Sequence, residues 1–306
     1  MGLGVDKMYI FIPKRIHEQI EDELDKSWKV VHELDKDVNV FVGMASQIND
    51  HLDKLKNLKY LLLITAGYDT LDISFLKEHG IRLTNARDVY SVSIAEMVVA
   101  QILNFNKGLE TYHDQQERRI WKPYFDFIDL EGAKVGFIGG GSIAGEILKR
   151  LKGFNITSSV YRRSNEPSLF DETYNTIEGL QKLMAKSDYI INTLPLSEST
   201  TNLIDKPLFD LMHKDAFYVN VGRGQTHDES YLIKLLNAHK IRGAYLDVFH
   251  TEPLLESSPY WQIKNLLITP HNSSNTPLPD KVLMKLIVNN LNNYLTQNPL
   301  INEIKL

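Results

Sequence analysis

The stretch KVGFIGGGSIAGEILKRL, residues 134–151, predicts a strand, a glycine-rich turn and a helix in direct succession. The continuous apolar run at its start is typical of a buried parallel strand. Gly139, Gly141 and Ala144 then follow the spacing G-x-G-x-x-A, an accepted form of the dinucleotide-binding fingerprint. The first glycine permits a tight turn, the second lets the backbone approach a pyrophosphate, and the small third residue lets the helix pack on the strand.

The first turn of the predicted helix is expected to bind phosphate, because its N–H groups have no partner within the helix. Gly139, Gly141, Ser142 and Ile143 are the predicted cofactor contacts. A glycine motif by itself is weak, but here a strand precedes it and a helix and several further predicted strands follow it. The alternative interpretation is a glycine-rich turn that serves packing only.

Short apolar runs alternate with helical patterns along nearly the whole chain, which predicts an α/β fold with two doubly wound parallel-sheet domains. The predicted strands are 8–12, 38–42, 60–65, 134–138, 158–161, 189–194, 217–221, 244–248 and 266–270. The clearest helical patterns are 93–109, 228–239 and 279–295. One turn-rich aromatic stretch, 121–132, interrupts the alternation. We therefore predict one domain from residues 1–95 with 277–306, and a dinucleotide-binding domain from residues 96–276.

Composition narrows the class of protein. The 306 residues include 43% hydrophobic and 24% charged residues, which is ordinary for a globular protein. A net charge of −5 argues against a nucleic-acid partner, and the lack of cysteine excludes disulfides and thiolate catalysis. No apolar run reaches the roughly 18 residues that span a bilayer, and no secretion signal is evident. We expect a cytoplasmic protein with neither a membrane association nor a metal site.

Two arginines follow the second strand of the predicted dinucleotide-binding domain. A residue that reads the adenine ribose is expected roughly 20 positions beyond the glycines, and Arg162 lies 21 positions after Gly141. An acid there would bind ribose hydroxyls and repel a 2′-phosphate, whereas Arg162, Arg163 and Ser164 would attract that phosphate. The pair therefore predicts NADP in preference to NAD, the alternative being two solvated surface charges.

Three further polar residues stand just after predicted strands, namely Arg223, Glu252 and His271. In an open α/β sheet ligands bind outside the carboxyl ends of strands, so these side chains can converge on the nicotinamide. Hydride transfer to a carbonyl needs an acid for the oxygen, and imidazole is the natural acid near neutral pH. A neighbouring carboxylate stabilises imidazolium and fixes its tautomer, as Glu252 can do for His271. Arg223 can bind a substrate carboxylate.

Two other histidines, His227 and His250, lie near these residues in sequence and could support them without contacting substrate. Each main assignment also has a plainer interpretation. Arg223 could cap a helix or lie on the surface, and Glu252 could simply begin a turn before Pro253.

Several stretches together resemble the D-isomer-specific 2-hydroxyacid dehydrogenase family. The matching pieces are TAGYDTLD (65–72), SIAEMVVAQIL (93–103), LEGAKVGFIGGGSIAG (130–145), TLPLSESTTNLID (193–205), NVGRG (220–224), YLDVFHTEPL (245–254) and TPHNSS (269–274). Their order and spacing cover most of the chain, and the combination is far more specific than any one piece.

The resemblance implies a flavodoxin-like substrate domain built from both chain ends, a central Rossmann cofactor domain and a homodimer formed largely through the cofactor domains. It implies that Arg223, Glu252 and His271 are the catalytic arginine, glutamate and histidine. The cofactor contacts that it adds are Pro195, Thr200, Val221 and, near the nicotinamide carboxamide, Asp247. The substrate contacts that it implies are Arg223, His271 and the backbone N–H groups of Ala66 and Gly67.

Arg162 departs from the family's ribose-reading acid and resembles the NADP-preferring glyoxylate/hydroxypyruvate reductases. The resulting hypothesis is an NADPH-dependent reductase of a small 2-oxo acid that yields a D-2-hydroxy acid. Two alternatives stay open: an NAD-linked D-lactate or phosphoglycerate-type dehydrogenase, and a dinucleotide-sensing interaction protein without enzymatic activity.

Overall fold

A computed structural model describes residues 8–164 and 169–306, which divide into two compact units. The first unit consists of the described residues up to Tyr90 together with Thr276–Leu306, and the second is Ser91–Asn275. The strands are β1 (Met8–Phe11), β2 (Trp28–Val31), β3 (Val40–Gly43), β4 (Tyr60–Leu63), β5 (Arg82–Thr84), β6 (Lys134–Ile138), β7 (Thr157–Tyr161), β8 (Glu172–Tyr174), β9 (Tyr189–Asn192), β10 (Phe217–Asn220), β11 (Gly243–Leu246), β12 (Leu266–Ile268) and β13 (Glu303–Ile304). The α-helices are α1 (Lys14–Ile20), α2 (Ala45–Ile48), α3 (Ile73–Glu78), α4 (Ser91–Lys107), α5 (Leu109–Glu117), α6 (Ser142–Leu151), α7 (Ile177–Lys186), α8 (Lys206–Phe209), α9 (Glu229–Asn237) and α10 (Pro277–Leu295).

The first unit is built on a six-stranded sheet in the order β2-β1-β3-β4-β5-β13. Its first five strands are parallel and follow the flavodoxin-like order 2-1-3-4-5, while β13 pairs antiparallel with β5 at the edge. Helix α10 buries Leu286, Ile287 and Leu291 against one face of this sheet, which is why the end of the chain belongs to the first unit.

The second unit is built on a seven-stranded, entirely parallel sheet in the order β8-β7-β6-β9-β10-β11-β12. Counted within the unit, this is the Rossmann order 3-2-1-4-5-6 with one further strand. Two apolar cores cover its two faces. The chain leaves neighbouring strands β6 and β9 in opposite directions, so a ligand crevice is expected at their carboxyl ends. The predicted α/β class with two doubly wound parallel sheets is confirmed.

All nine predicted strands are present, but β2, β5, β8 and β13 were not predicted. Each has only two to four residues and mixes polar with apolar side chains, because β2, β8 and β13 lie at sheet edges and β5 adjoins an edge strand. The predicted boundary between residues 95 and 96 lies inside helix α4. The second unit begins at Ser91 because that whole helix packs on its core through Ala95, Val98 and Ile102.

The long helices of the described chain are amphipathic or mixed in character. Within residues 8–164 and 169–306, no helix is long and apolar enough to cross a bilayer.

Candidate active site

The glycine-rich turn lies at the carboxyl end of β6, where the order of the sheet reverses. Gly139 has a φ of +96°, and a Cβ there would come within 2.8 Å of Thr193 Oγ1, so the turn requires glycine. Helix α6 begins at Ser142, and Ala144 is fully buried against the sheet. Among the described residues, no atom lies within 4 Å of a Cβ built on Gly141, so the start of this helix has room for a ligand. The backbone therefore fits a pyrophosphate at the helix N-terminus.

Arg162 follows β7 directly, and its N–H donates to Tyr174 O of the edge strand at 2.9 Å. Its side-chain stem covers Gly140, because a Cβ on that glycine would lie 2.9 Å from Arg162 Cδ. The residue is half-buried, whereas Arg163 and Ser164 are exposed. Arg162 thus lies against the phosphate-binding turn itself.

Pro195, Thr200 and Val221 lie on the loops that follow β9 and β10. Thr200 Oγ1 donates to Pro195 O at 2.7 Å and thereby shapes the first loop. Val221 is buried, and its N–H donates to Asn192 O at 3.1 Å. All three predicted cofactor contacts therefore lie beyond the carboxyl ends of strands β9 and β10, at the same end of the sheet as the glycine turn.

Arg223 occupies the loop after β10, where its backbone is held on both sides. Its carbonyl oxygen accepts from Asn220 Nδ2 at 3.0 Å and from Thr226 Oγ1 at 2.6 Å. A Cβ on Gly224 would lie 2.1 Å from Phe249 C, so glycine alone allows the Arg223 loop to touch the loop after β11. Arg223 is therefore presented from a rigid, close-packed turn.

His227 lies beneath this turn and is 1% exposed. Its Nδ1 is 2.9 Å from Asn220 Nδ2, so that nitrogen accepts and the ring is neutral, with its proton on Nε2. Burial lowers the pKa of His227 to about 3, and the charge of His250 acts in the same direction. His250 Nε2 in turn donates to His227 O at 2.9 Å. Both histidines support the Arg223 loop from below.

Glu252 and His271 form a direct pair. His271 Nδ1 lies 2.7 Å from Glu252 Oε2, and Glu252 Oε1 accepts from Phe249 N at 2.9 Å. The histidine and glutamate side chains are 48% and 35% exposed, so the imidazole can reach a ligand. With Nδ1 bonded to the carboxylate, Nε2 is the nitrogen left to exchange a proton.

Asp247 follows β11 and is 2% exposed. Its Oδ1 accepts from Thr269 Oγ1 at 2.5 Å and from Asn272 N at 3.2 Å. Its Oδ2 accepts from Ser273 Oγ at 2.5 Å and from Ser273 N at 3.3 Å. All four bonds run to the turn that carries His271.

Ala66 and Gly67 lie in the first unit, just after β4. The carbonyl of Ala66 accepts from Asn85 Nδ2 at 2.6 Å and that of Gly67 from Thr65 Oγ1 at 2.9 Å. Within residues 8–164 and 169–306, the N–H groups of Ala66 and Gly67 have no acceptor. Carbonyls held by the protein and N–H groups left over are the features of an anion-binding turn.

A sequence comparison decides the family. The profile of the D-isomer specific 2-hydroxyacid dehydrogenase, NAD binding domain, matches residues 99–273, which is more than half of the chain. The chain belongs to the D-isomer specific 2-hydroxyacid dehydrogenases. It is therefore an oxidoreductase with a nicotinamide-dinucleotide-binding domain, as its sequence predicted.

Relatives within the dehydrogenase family are similar over nearly the whole chain. The glyoxylate reductase of Pyrococcus horikoshii is 29% identical over 308 aligned residues, covering 93% of this chain and 92% of the relative. The human glyoxylate reductase/hydroxypyruvate reductase is 30% identical, covering 90% and 87% of the two chains. A crystal structure of a family member from Aeromonas salmonicida superposes with a TM-score of 0.87 at 25% identity, covering 98% of this chain and 99% of the other.

Sequence reasoning missed three residues that hold the dehydrogenase loops in place, namely Asn192, Asn220 and Thr226. It also missed the four bonds between the Asp247 carboxylate and the turn that carries His271. Asn192 Nδ2 donates to Thr226 Oγ1 at 2.7 Å, which connects the ends of β9 and β10. A signal for the two asparagines was available, since each is a polar residue that ends an otherwise apolar strand. Among the described residues, no group of three or more acidic or histidine side chains could hold a metal ion.

Proposed function

We propose that this dehydrogenase uses NADPH to reduce a small 2-oxo acid, of the glyoxylate or hydroxypyruvate class, to a D-2-hydroxy acid. The observation that carries the proposal is the 2.7 Å pair of His271 and Glu252 at the carboxyl edge of the sheet that bears the glycine turn. The similarity to relatives named glyoxylate reductase supports the substrate class.

The cofactor preference rests on Arg162. The glycine turn and the start of α6 fit the pyrophosphate, and Arg162 lies beside them with its stem on Gly140. A guanidinium there would bind a 2′-phosphate through charge-assisted hydrogen bonds, with Arg163 and Ser164 contributing from the surface. Bound NADPH supplies the hydride for the carbonyl carbon.

His271 is the proposed acid for the carbonyl oxygen. Glu252 accepts from its Nδ1, and in the imidazolium form the second proton, on Nε2, can pass to the oxygen as the hydride arrives, which leaves the ring neutral with its proton on Nδ1. The carboxylate stabilises the imidazolium and holds the ring in one orientation. Because Glu252 is itself held by Phe249 N, the ring does not need to be ordered when substrate binds.

In the second unit, Arg223 is proposed to bind the substrate carboxylate. The guanidinium of Arg223 can donate two parallel hydrogen bonds to the carboxylate and polarise the adjacent carbonyl. The N–H groups of Ala66 and Gly67 offer an uncharged anion-binding turn. Asn220 and Thr226 keep the arginine backbone in place, so its cationic group needs little reorganisation.

The test is oxidation of NADPH with a panel of 2-oxo acids, compared between wild-type protein and His271→Ala. We expect turnover by the wild type and a loss of at least about 100-fold in kcat for the variant, in line with typical contributions of general acids. His239→Ala, at an exposed histidine after α9, is the matched control and should keep normal activity. A folded wild-type protein that oxidises NADPH with no 2-oxo acid would refute the proposal.

A homodimer is also proposed, through the cofactor-binding unit. The irregular segment 120–127 of that unit exposes Trp121 fully and Phe125 to 86%. Exposed aromatic clusters of this kind mark interaction surfaces. Analytical ultracentrifugation should give twice the mass of the chain, and a monomer at micromolar concentration would contradict the proposal.

A further inference from the structure

The carboxylate of Asp247 is fully engaged by its own protein. A carboxylate offers about four acceptor positions, and Thr269 Oγ1, Asn272 N, Ser273 N and Ser273 Oγ take one each. The residue is 2% exposed, so solvent does not compete for these bonds. No acceptor position is left for a carboxamide N–H₂ of a cofactor, which is the partner that the family resemblance implies for this residue.

The bonds converge on one short turn, residues 269–273. The backbone carbonyl of Asp247 adds a further bond, since it accepts from His271 N at 2.8 Å. Tyr245 extends the network, because Thr269 gives its only hydroxyl hydrogen to Asp247 and must therefore accept from Tyr245 Oη at 2.8 Å. Asp247 thus bonds to the turn at Thr269, at its central residue His271, and at Asn272 and Ser273.

That central residue, His271, has a strained backbone. Its φ is +49°, in the left-handed region that residues with a Cβ rarely adopt. Such conformations persist where surrounding bonds over-determine them. The direction of the imidazole follows from this backbone, and it places Nδ1 2.7 Å from Glu252 Oε2.

We propose that Asp247 is a positioning residue for proton transfer: its carboxylate holds the 269–273 turn in the conformation that aims His271 at Glu252. The proposal rests on the proposed function only for the role of His271 as the acid. It assigns Asp247 to the histidine turn and away from the nicotinamide.

Asp247→Asn is the decisive variant, because an amide nitrogen would face two donors and lose two of the four bonds. A turn displaced by about 1 Å lowers kcat by about 100-fold while binding is kept. We therefore expect kcat with a 2-oxo acid to fall by that factor. KM for the 2-oxo acid and the Kd of NADPH, measured by fluorescence titration, should each stay within about threefold.

A spectroscopic signal tests the same point without turnover. In ¹⁵N-histidine-labelled protein, the downfield Nδ1–H resonance of His271, assigned by its loss in His271→Ala, should disappear or shift in Asp247→Asn. Asp228→Asn is the control, because Asp228 also accepts backbone and hydroxyl bonds but only caps helix α9. That variant should keep the His271 resonance.

The outcomes separate the two proposals. A rise of tenfold or more in the Kd of NADPH, with an unchanged His271 resonance, overturns the positioning role and returns Asp247 to the cofactor. A wild-type protein without 2-oxo acid turnover refutes the proposed function alone, and the resonance still decides the role of Asp247. If Asp247→Asn does not fold, Ser273→Ala and Thr269→Val each remove one bond to Asp247 and should lower kcat several-fold, with NADPH binding kept. Normal kcat in both overturns the proposal.

Discussion

Replacing Arg162 by serine tests the cofactor assignment most directly. The arginine lies against the glycine turn, because its Cδ would be 2.9 Å from a Cβ on Gly140. Serine at this place keeps the strand end and the N–H bond to Tyr174 O, but it removes the cation. Only the binding of a cofactor with a 2′-phosphate should be weakened by the change.

The expected magnitude follows from the bonds that are lost. A hydrogen bond between charged groups contributes about 1.5–3 kcal/mol, and each 1.4 kcal/mol is tenfold in affinity. Arg162 is half-buried beside the turn, so solvent screens it less than a surface charge. The ratio of kcat/KM for NADPH to that for NADH should therefore fall by about 10–100-fold in Arg162→Ser. In Arg162→Asp the added repulsion should reverse the preference.

The assay measures kcat/KM with NADPH and with NADH at fixed ionic strength. Fluorescence titration gives the Kd of each cofactor independently of turnover. Arg163→Ser removes an exposed charge, and exposed pairs contribute about 0–1 kcal/mol, so its ratio should change by less than about fivefold. Arg118→Ser, which removes an exposed arginine from the end of α5, controls for net charge and should have no effect. An unchanged ratio in Arg162→Ser would refute the reasoning and favour an NAD-linked dehydrogenase.

Three further predictions address the loops and the surface. Gly224→Ala forces a Cβ to within 2.1 Å of Phe249 C, so we expect a loss of about 1–3 kcal/mol in the free energy of unfolding, measured in urea, and a clear loss of kcat. The control is Gly153→Ala, whose added Cβ has no described atom within 4 Å, so both quantities should stay unchanged. His227 is neutral when folded and protonates near pH 6.5 when unfolded, so stability is complete above pH 6.5 and falls by up to about 1.4 kcal/mol per pH unit between pH 6.5 and about 3; His227→Gln should lose this component, seen as a smaller difference in unfolding free energy between pH 7 and pH 5. Trp121→Ser removes the fully exposed indole and should weaken the dimer, measured by sedimentation. The thermal unfolding temperature of the monomer should stay within a few degrees of wild type. An unaltered dimer would place the interface elsewhere.

Local sequence patterns predicted much of the fold. Continuous apolar runs predicted the central strands because parallel strands are covered on both faces, as β6, β9, β10 and β11 are. The edge strands β2, β8 and β13 have one neighbour and partly polar sequences, so their runs resemble those of loops. The boundary between the units was also beyond local pattern, because it depends on which core helix α4 covers.

The sequence by itself determined the dinucleotide turn, the family and the candidate trio Arg223, Glu252 and His271, because each depends on residue type and spacing along the chain. Only the tertiary structure decided which of these side chains meet and what holds them. The 2.7 Å bond between residues 19 positions apart and the four donors around Asp247 arise where parallel strands end side by side. Strand order and register set such distances, and both are consequences of packing across the whole sheet.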